Sequence, residues 1–296
     1  MLLAAARVPT TTSFWDWSVD LPLILVVIAA VLFCVGSRRT TASDSTARIR
    51  RWRSVSFLGG LLVTAVALDS PIEPLAARLF WVHMVQHVLL LTVAPPLIVL
   101  GRPWIRLWRP LPLGFRRSLG RGLMHGSVGI AVRRIGAGLG SPLPTLVAFC
   151  GVLLAWHIPA LFDATLRSVP LHALEHALFF GTALLFWKQV ISSPPLRARL
   201  EPVQRIAYLT AAMVVSWILA IVLALAPQPL YGAYAHELGR PGGISALSDQ
   251  QLAAGVMWVP GSIAFVVALL AYFHRWLAPG TPQRSSVRPA DLVIDH

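Results

Sequence analysis

Seven apolar runs of membrane-crossing length divide this chain, and the segments between them alternate in charge. The runs lie at about 20–36, 54–70, 80–100, 142–160, 171–191, 206–226 and 251–273. A helix needs roughly 17–25 mostly apolar residues to cross the hydrocarbon layer of a bilayer, with every backbone N–H and C=O satisfied inside the segment. The first two runs are short, and a flanking turn lengthens either of them. Composition agrees: 56% of the 296 residues are hydrophobic and 12% are charged, against about 25% charged in an average soluble protein. The sequence predicts an all-α integral membrane bundle with seven transmembrane helices, forming one domain over 1–273. Residues 274–296 read as a disordered cytoplasmic tail.

The loops set an orientation. Of the 25 Lys and Arg residues, 21 fall in segments 37–53, 101–141 and 188–205 or after residue 273, which all lie on one side of the predicted bundle. Only Arg7, Arg78, Arg167 and Arg240 fall on the other. Basic residues collect on the cytoplasmic side, so the N-terminus is expected outside and the C-terminus in the cytoplasm. The net charge of +13 is then a topology signal rather than a sign of nucleic-acid binding. Part of it suits membrane lipids: RPWIRLWRPLPLGFRR (102–117), at the start of the basic loop 101–141, mixes Arg with Trp and Leu as an interfacial element does. Its prolines argue against one continuous helix. Trp15, Trp17, Trp52, Trp81, Trp104, Trp156 and Trp276 stand near predicted span ends, where tryptophan anchors to the interface. Pro95, Pro96 and Pro260 predict kinks in the third and seventh spans. The first residues, MLLAAARVPTTTSFWDW, lack an apolar core of signal-peptide length and are expected to stay on the mature protein. Cys34 and Cys150 both lie in apolar runs and suggest no disulfide framework.

This topology gathers histidines. HMVQH (83–87) opens the third span, HALEH (172–176) opens the fifth, and His157 ends the fourth, so five of the nine histidines share the outer membrane level on three helices. Residues four apart lie on one helix face, about 6 Å apart along the axis. His83 with His87, and His172 with His176, therefore each form a pair facing one way. Ionisable groups inside a membrane are costly and usually face the bundle interior for a functional reason. A single histidine near a span end is more often an ordinary hydrogen-bonding residue; two such pairs plus a third helix at one depth predict a metal centre. The candidate ligands are His83, His87, His157, His172 and His176. Gln86 and Glu175 are candidates for orienting them from behind, and Asp163, Asp249, Met84 and Met257 lie nearby. For Met84, Met257 and Cys150, core packing is the more ordinary role, and Asp249 is expected to cap the seventh helix.

Imidazoles with thioether neighbours suit copper, among other ions. They accept zinc too, and four histidines on two helices are also a bis-histidine haem pattern. HALEH matches the H-x-x-E-H zinc-protease pattern, with Glu175 as base, but that reading leaves HMVQH unexplained. The residues leave these alternatives open. Affinity for an ion should fall as pH drops through about 6.5, where protons compete for free imidazole.

Four strings, HMVQHVLLLTVAPPLIVLGRP (83–103), WHIPALFDATL (156–166), LHALEHALFF (171–180) and LSDQQLAAGVMWVPGS (247–262), resemble the multi-span CtaG-type cytochrome c oxidase assembly factors of bacteria. The resemblance covers spans three to seven in order. Loop 103–141 is longer and more basic than the family pattern. The resemblance implies a non-enzymatic assembly factor of the bacterial plasma membrane, a metallochaperone of the respiratory chain. Its partners would be cytochrome c oxidase subunits and its cargo copper, handled at the five histidines on the outer face.

Overall fold

A computed structural model describes residues 20–38, 44–126, 129–130, 140–194 and 198–277. The N-terminal stretch, most of the second half of the basic loop and the tail from 278 onward lie outside the described residues, as do Trp15, Trp17, Arg7, His296 and the side chain of His125. Every named element among the described residues is a helix, and each of the seven apolar runs falls on one.

α1 spans Leu21–Ser37 and α2 spans Asp44–Asp69. The second helix starts about ten residues before its apolar run, because the arginine-rich stretch ahead of it continues the helix instead of forming a loop. A short α3 (Ile72–Ala76) leads into α4 (Phe80–Leu100). The expected interfacial element is broken by Pro110 and Pro112 into α5 (Trp104–Trp108) and α6 (Leu113–His125). The fourth run is not one straight helix. It turns by 79° between α7 (Pro142–Trp156) and α8 (Pro159–Thr165). α9 (Val169–Val190), α10 (Pro202–Leu225), the short α11 (Gly232–Ala235) and α12 (Ala246–Leu277) complete the order. Thus residues 274–277 belong to the last helix rather than to a tail. Among the described residues, five helices are long and apolar enough to cross a membrane by themselves, and the bent α7–α8 pair makes a sixth candidate; α1 is apolar but shorter.

α12 packs along α10 and against the Phe80 end of α4, while α2 lines the other half of α4 and α9 lies beside α7. Gly60 permits the close approach of α2 to α4: a Cβ there would stand 2.7 Å from Ile98 Cγ1. The prolines of α4 act differently from a simple kink. Pro95 and Pro96 have no N–H, so the carbonyls of Leu91 and Thr92 lose their helical donors. The chain responds with a π-turn at Leu89–Val93. The Trp187 indole of α9 then donates to the freed Leu91 carbonyl at 2.9 Å. Pro260 lies inside α12, which continues through it. Trp52 and Trp276 are exposed, but Trp156 is buried in the aromatic core with Phe149, Phe179 and Phe186 rather than at an interface.

Candidate metal centre

The first turns of α4, the first turns of α9 and the bend between α7 and α8 meet at one end of the bundle. They bring His83, His87, His157, His172 and His176 together. His83 lies 4.4 Å from His87, 5.2 Å from His172 and 6.3 Å from His176, ring centroid to centroid. His172 and His176 are 4.2 Å apart, and His157 is 6.1 Å from His87. Phe162 and Phe179 pack against this group. All five imidazoles are buried except His172, which is partly exposed. His236 lies apart on the surface, with Nδ1 on the Gly232 carbonyl at 2.7 Å, and His274 is exposed on α12.

The hydrogen bonds fix which nitrogens of His83, His87 and His157 carry lone pairs. Tyr234 donates its one proton to the Ala76 carbonyl at 2.6 Å. Its oxygen can therefore only accept from His83 Nδ1, 2.9 Å away. That leaves a lone pair on His83 Nε2, which accepts from His87 Nε2 at 2.9 Å. His157 donates Nδ1–H to the Leu153 carbonyl at 2.7 Å. Among the described residues, His87 Nδ1, His157 Nε2, His172 Nε2 and His176 Nε2 have no hydrogen-bond partner although all are buried. Buried polar atoms are normally satisfied, so several lone pairs converging without donors form a site suited to a cation.

Two overlapping trios place ligand atoms within 4.8 Å of one another: His83, His172 and His176, and His83, His87 and Glu175. Glu175 is wholly buried and faces His87 of the other helix, 3.6 Å away, rather than serving the histidines of its own helix. Gln86 does not support its helix neighbours either. It donates to the Ala67 carbonyl at 2.8 Å and to Glu73. Glu73 in turn lies 3.4 Å from His172 Nδ1, so Gln86 reaches a histidine on another helix through a carboxylate. Burial pushes the Glu73 carboxyl up to about 7, against the opposing pull of the Gln86 bond.

Asp249 and Asp163 hold backbone, not histidines. Asp249 accepts from Phe80 N at 3.0 Å and Trp81 N at 2.9 Å, and so caps α4. It was expected to cap its own helix, but α12 begins three residues earlier. Asp163 caps α11 through Gly232 N at 3.1 Å and Ala233 N at 3.2 Å. Met84 and Met257 are buried between α4, α8 and α12, and Cys150 packs against the aromatic core.

Glu73, one of the acidic residues that the topology puts on the histidine side, joins the site, as do Tyr231 and Tyr234, which the sequence did not single out. The tyrosines stand three apart in the loop after α10, which folds over the cluster; Tyr231 donates to the His157 carbonyl at 3.1 Å. Their spacing of three in a loop rich in Gly and Pro was the available signal.

Residues 31–278 match the family described as cytochrome c oxidase caa3 assembly factor, Caa3_CtaG. The chain belongs to this family. The match takes in α2 to α12 and every residue of the histidine cluster. Uncharacterized proteins of Mycobacterium bovis (Mb0105), Mycobacterium tuberculosis (MT0111) and Mycobacterium leprae (ML1998) are each 25% identical to it over 231 residues. That alignment covers 76% of this chain and 34% of each relative, so the chain spans about a third of the length of these larger proteins. No solved structure matches.

Proposed function

We propose that this member of the oxidase assembly family binds a metal ion, copper above zinc, at its histidine cluster and supports metal loading of cytochrome c oxidase. The observation that carries the reading is the convergence of His83, His172 and His176, with the Nε2 atoms of the last two buried and unpaired. A metal–nitrogen bond is about 2 Å, so two imidazoles on one ion have centroids roughly 5–6.5 Å apart. His83 meets that range with both His172 and His176, and the His172–His176 pair needs only a small opening. Glu73, about a third exposed and 3.4 Å from His172 Nδ1, gives an ion a carboxylate to meet first and holds the His172 tautomer afterwards.

Seven spans, with the histidine end facing outward and the C-terminus in the cytoplasm of a bacterial plasma membrane, fit the arginine distribution. The described basic residues of the histidine end are each set against a carboxylate: Arg78 on Glu237, Arg167 on Asp163 and Arg240 on Asp249. The opposite loops carry the unbalanced positive charge. A haem between these histidines would need room for a macrocycle, and the cavity beside His87 and His157 is about 30 Å³. A protease using HALEH would need Glu175 beside a metal-bound water; it lies instead against His87. The metal reading therefore needs the least rearrangement, and the chain's role is carriage rather than catalysis.

The test is the copper content of the oxidase in cells. Cells carrying His83→Ala/His172→Ala in place of the wild-type chain should assemble oxidase with depleted copper and low activity, restored by added copper salts. Normal copper loading in those cells would overturn the proposal.

A further inference from the structure

Below the outer trio lies a small cavity of about 30 Å³, large enough for one dehydrated ion or a water. Met84, His87, His157 and Met257 all line it, with apolar walls from Phe149 and Phe265. The hydrogen-bond chain determines what the two imidazoles offer there. Because His83 Nε2 accepts, His87 must carry its proton on Nε2, and its Nδ1 holds a free lone pair. Because His157 Nδ1 donates to Leu153, its Nε2 holds another. Both nitrogens are buried and without partners among the described residues. The rings, 6.1 Å apart, match two imidazoles flanking one ion, whereas His83 and His87 are joined to each other by the hydrogen bond between their Nε2 atoms.

We propose that His87, His157, Met84 and Met257 form a second, inner metal site, selective for a soft monovalent cation of the cuprous class. Thioether and neutral imidazole donors favour soft ions. The cavity is lined by no charged residue, and the cost of desolvation rises steeply with ionic charge, so a univalent ion is preferred over a divalent one. The two sites are compatible. When an ion takes the His83 Nε2 lone pair, the His87 Nε2–H turns to Glu175, 3.6 Å away, and His87 Nδ1 keeps facing inward. The inference rests on the reading that the cluster handles metal, and adds a second station to it.

The purified full-length chain in detergent, titrated anaerobically with Cu(I) against a colorimetric chelator, should bind two equivalents, with both nitrogen and sulfur neighbours in the X-ray absorption spectrum. Met84→Leu/Met257→Leu, which conserves side-chain volume, should keep its melting temperature, bind one equivalent and lose the sulfur signal. His172→Ala/His176→Ala should bind one equivalent and keep it. A wild-type protein that binds one equivalent through nitrogen alone, lost in the histidine variant, would overturn the inner site and leave the outer one standing. Two equivalents retained by the methionine variant would overturn it too. No Cu(I) binding by the wild type would remove both sites.

Discussion

Single atoms decide what the cluster can bind. The Tyr234 hydroxyl, by donating to Ala76, forces the proton of His83 onto Nδ1 and leaves a lone pair on Nε2. Tyr234→Phe removes that constraint without removing a ligand, and groups that orient metal-bound histidines are typically worth 10–100-fold in affinity. Metal affinity of the purified variant should fall by roughly that factor, as read by competition titration; an unchanged affinity would show that the tautomer is set elsewhere. Glu73 gives a pH dependence. Its carboxyl is raised to about 7 by burial, so the folded metal-free protein binds this proton more tightly than the unfolded chain does. The cost of ionising Glu73 is absent at low pH, grows as pH rises from about 4.5, the ordinary Glu value, and is complete above about 7. Melting temperatures of wild type and Glu73→Gln should converge near pH 5, with the variant more stable at pH 8. The His-x-x-polar-His spacing announced the ligand-bearing residues. It could not show that Gln86 acts through Glu73 or that Glu175 faces His87, because those contacts join helices that are distant in sequence.

At the scale of elements, α4 is the positioning device. Its first two turns carry His83 and His87, Asp249 of α12 caps its N-terminus, and a π-turn begins two residues after His87. Asp249→Ala removes acceptors from two backbone donors and leaves Arg240 without its carboxylate. Loss of a cap costs about 0.5–2 kcal/mol, so thermal unfolding in detergent should show a lower melting temperature, together with weaker metal binding as the first turn frays. An undisturbed melting temperature would mean that α4 is held by packing alone. The helix itself was legible from its apolar run, and Pro95–Pro96 marked where it would be irregular. The form of the irregularity was not legible, since it depends on Trp187 of another helix supplying the donor that Leu91 lost. The bend after Trp156 was missed for a related reason: HIPALF continues the apolar run, and hydropathy is blind to a 79° turn.

Across the whole molecule, two ends of opposite character define the protein. One carries buried imidazoles and carboxylates matched to its few arginines; the other carries unbalanced arginines. Topology can be tested at two exposed positions in a background without Cys34 and Cys150. A cysteine in place of Leu238 should react with an impermeant reagent in intact cells, and one in place of Trp276 only after permeabilisation; the reverse pattern would turn the bundle over. All-helical architecture was readable from run length because backbone satisfaction in lipid leaves few options. The gathering of histidines at one depth followed from charge asymmetry in the loops. Neither could reveal the Tyr231 and Tyr234 cover, which comes from a loop rich in Gly and Pro whose one cue is the spacing of those two tyrosines. What the whole arrangement amounts to is decided by total metal analysis of the purified chain beside His83→Ala/His172→Ala at equal helix content. Bound copper or zinc in the wild type, lost in the variant, is the predicted result; equal metal in both proteins would contradict a histidine-held ion.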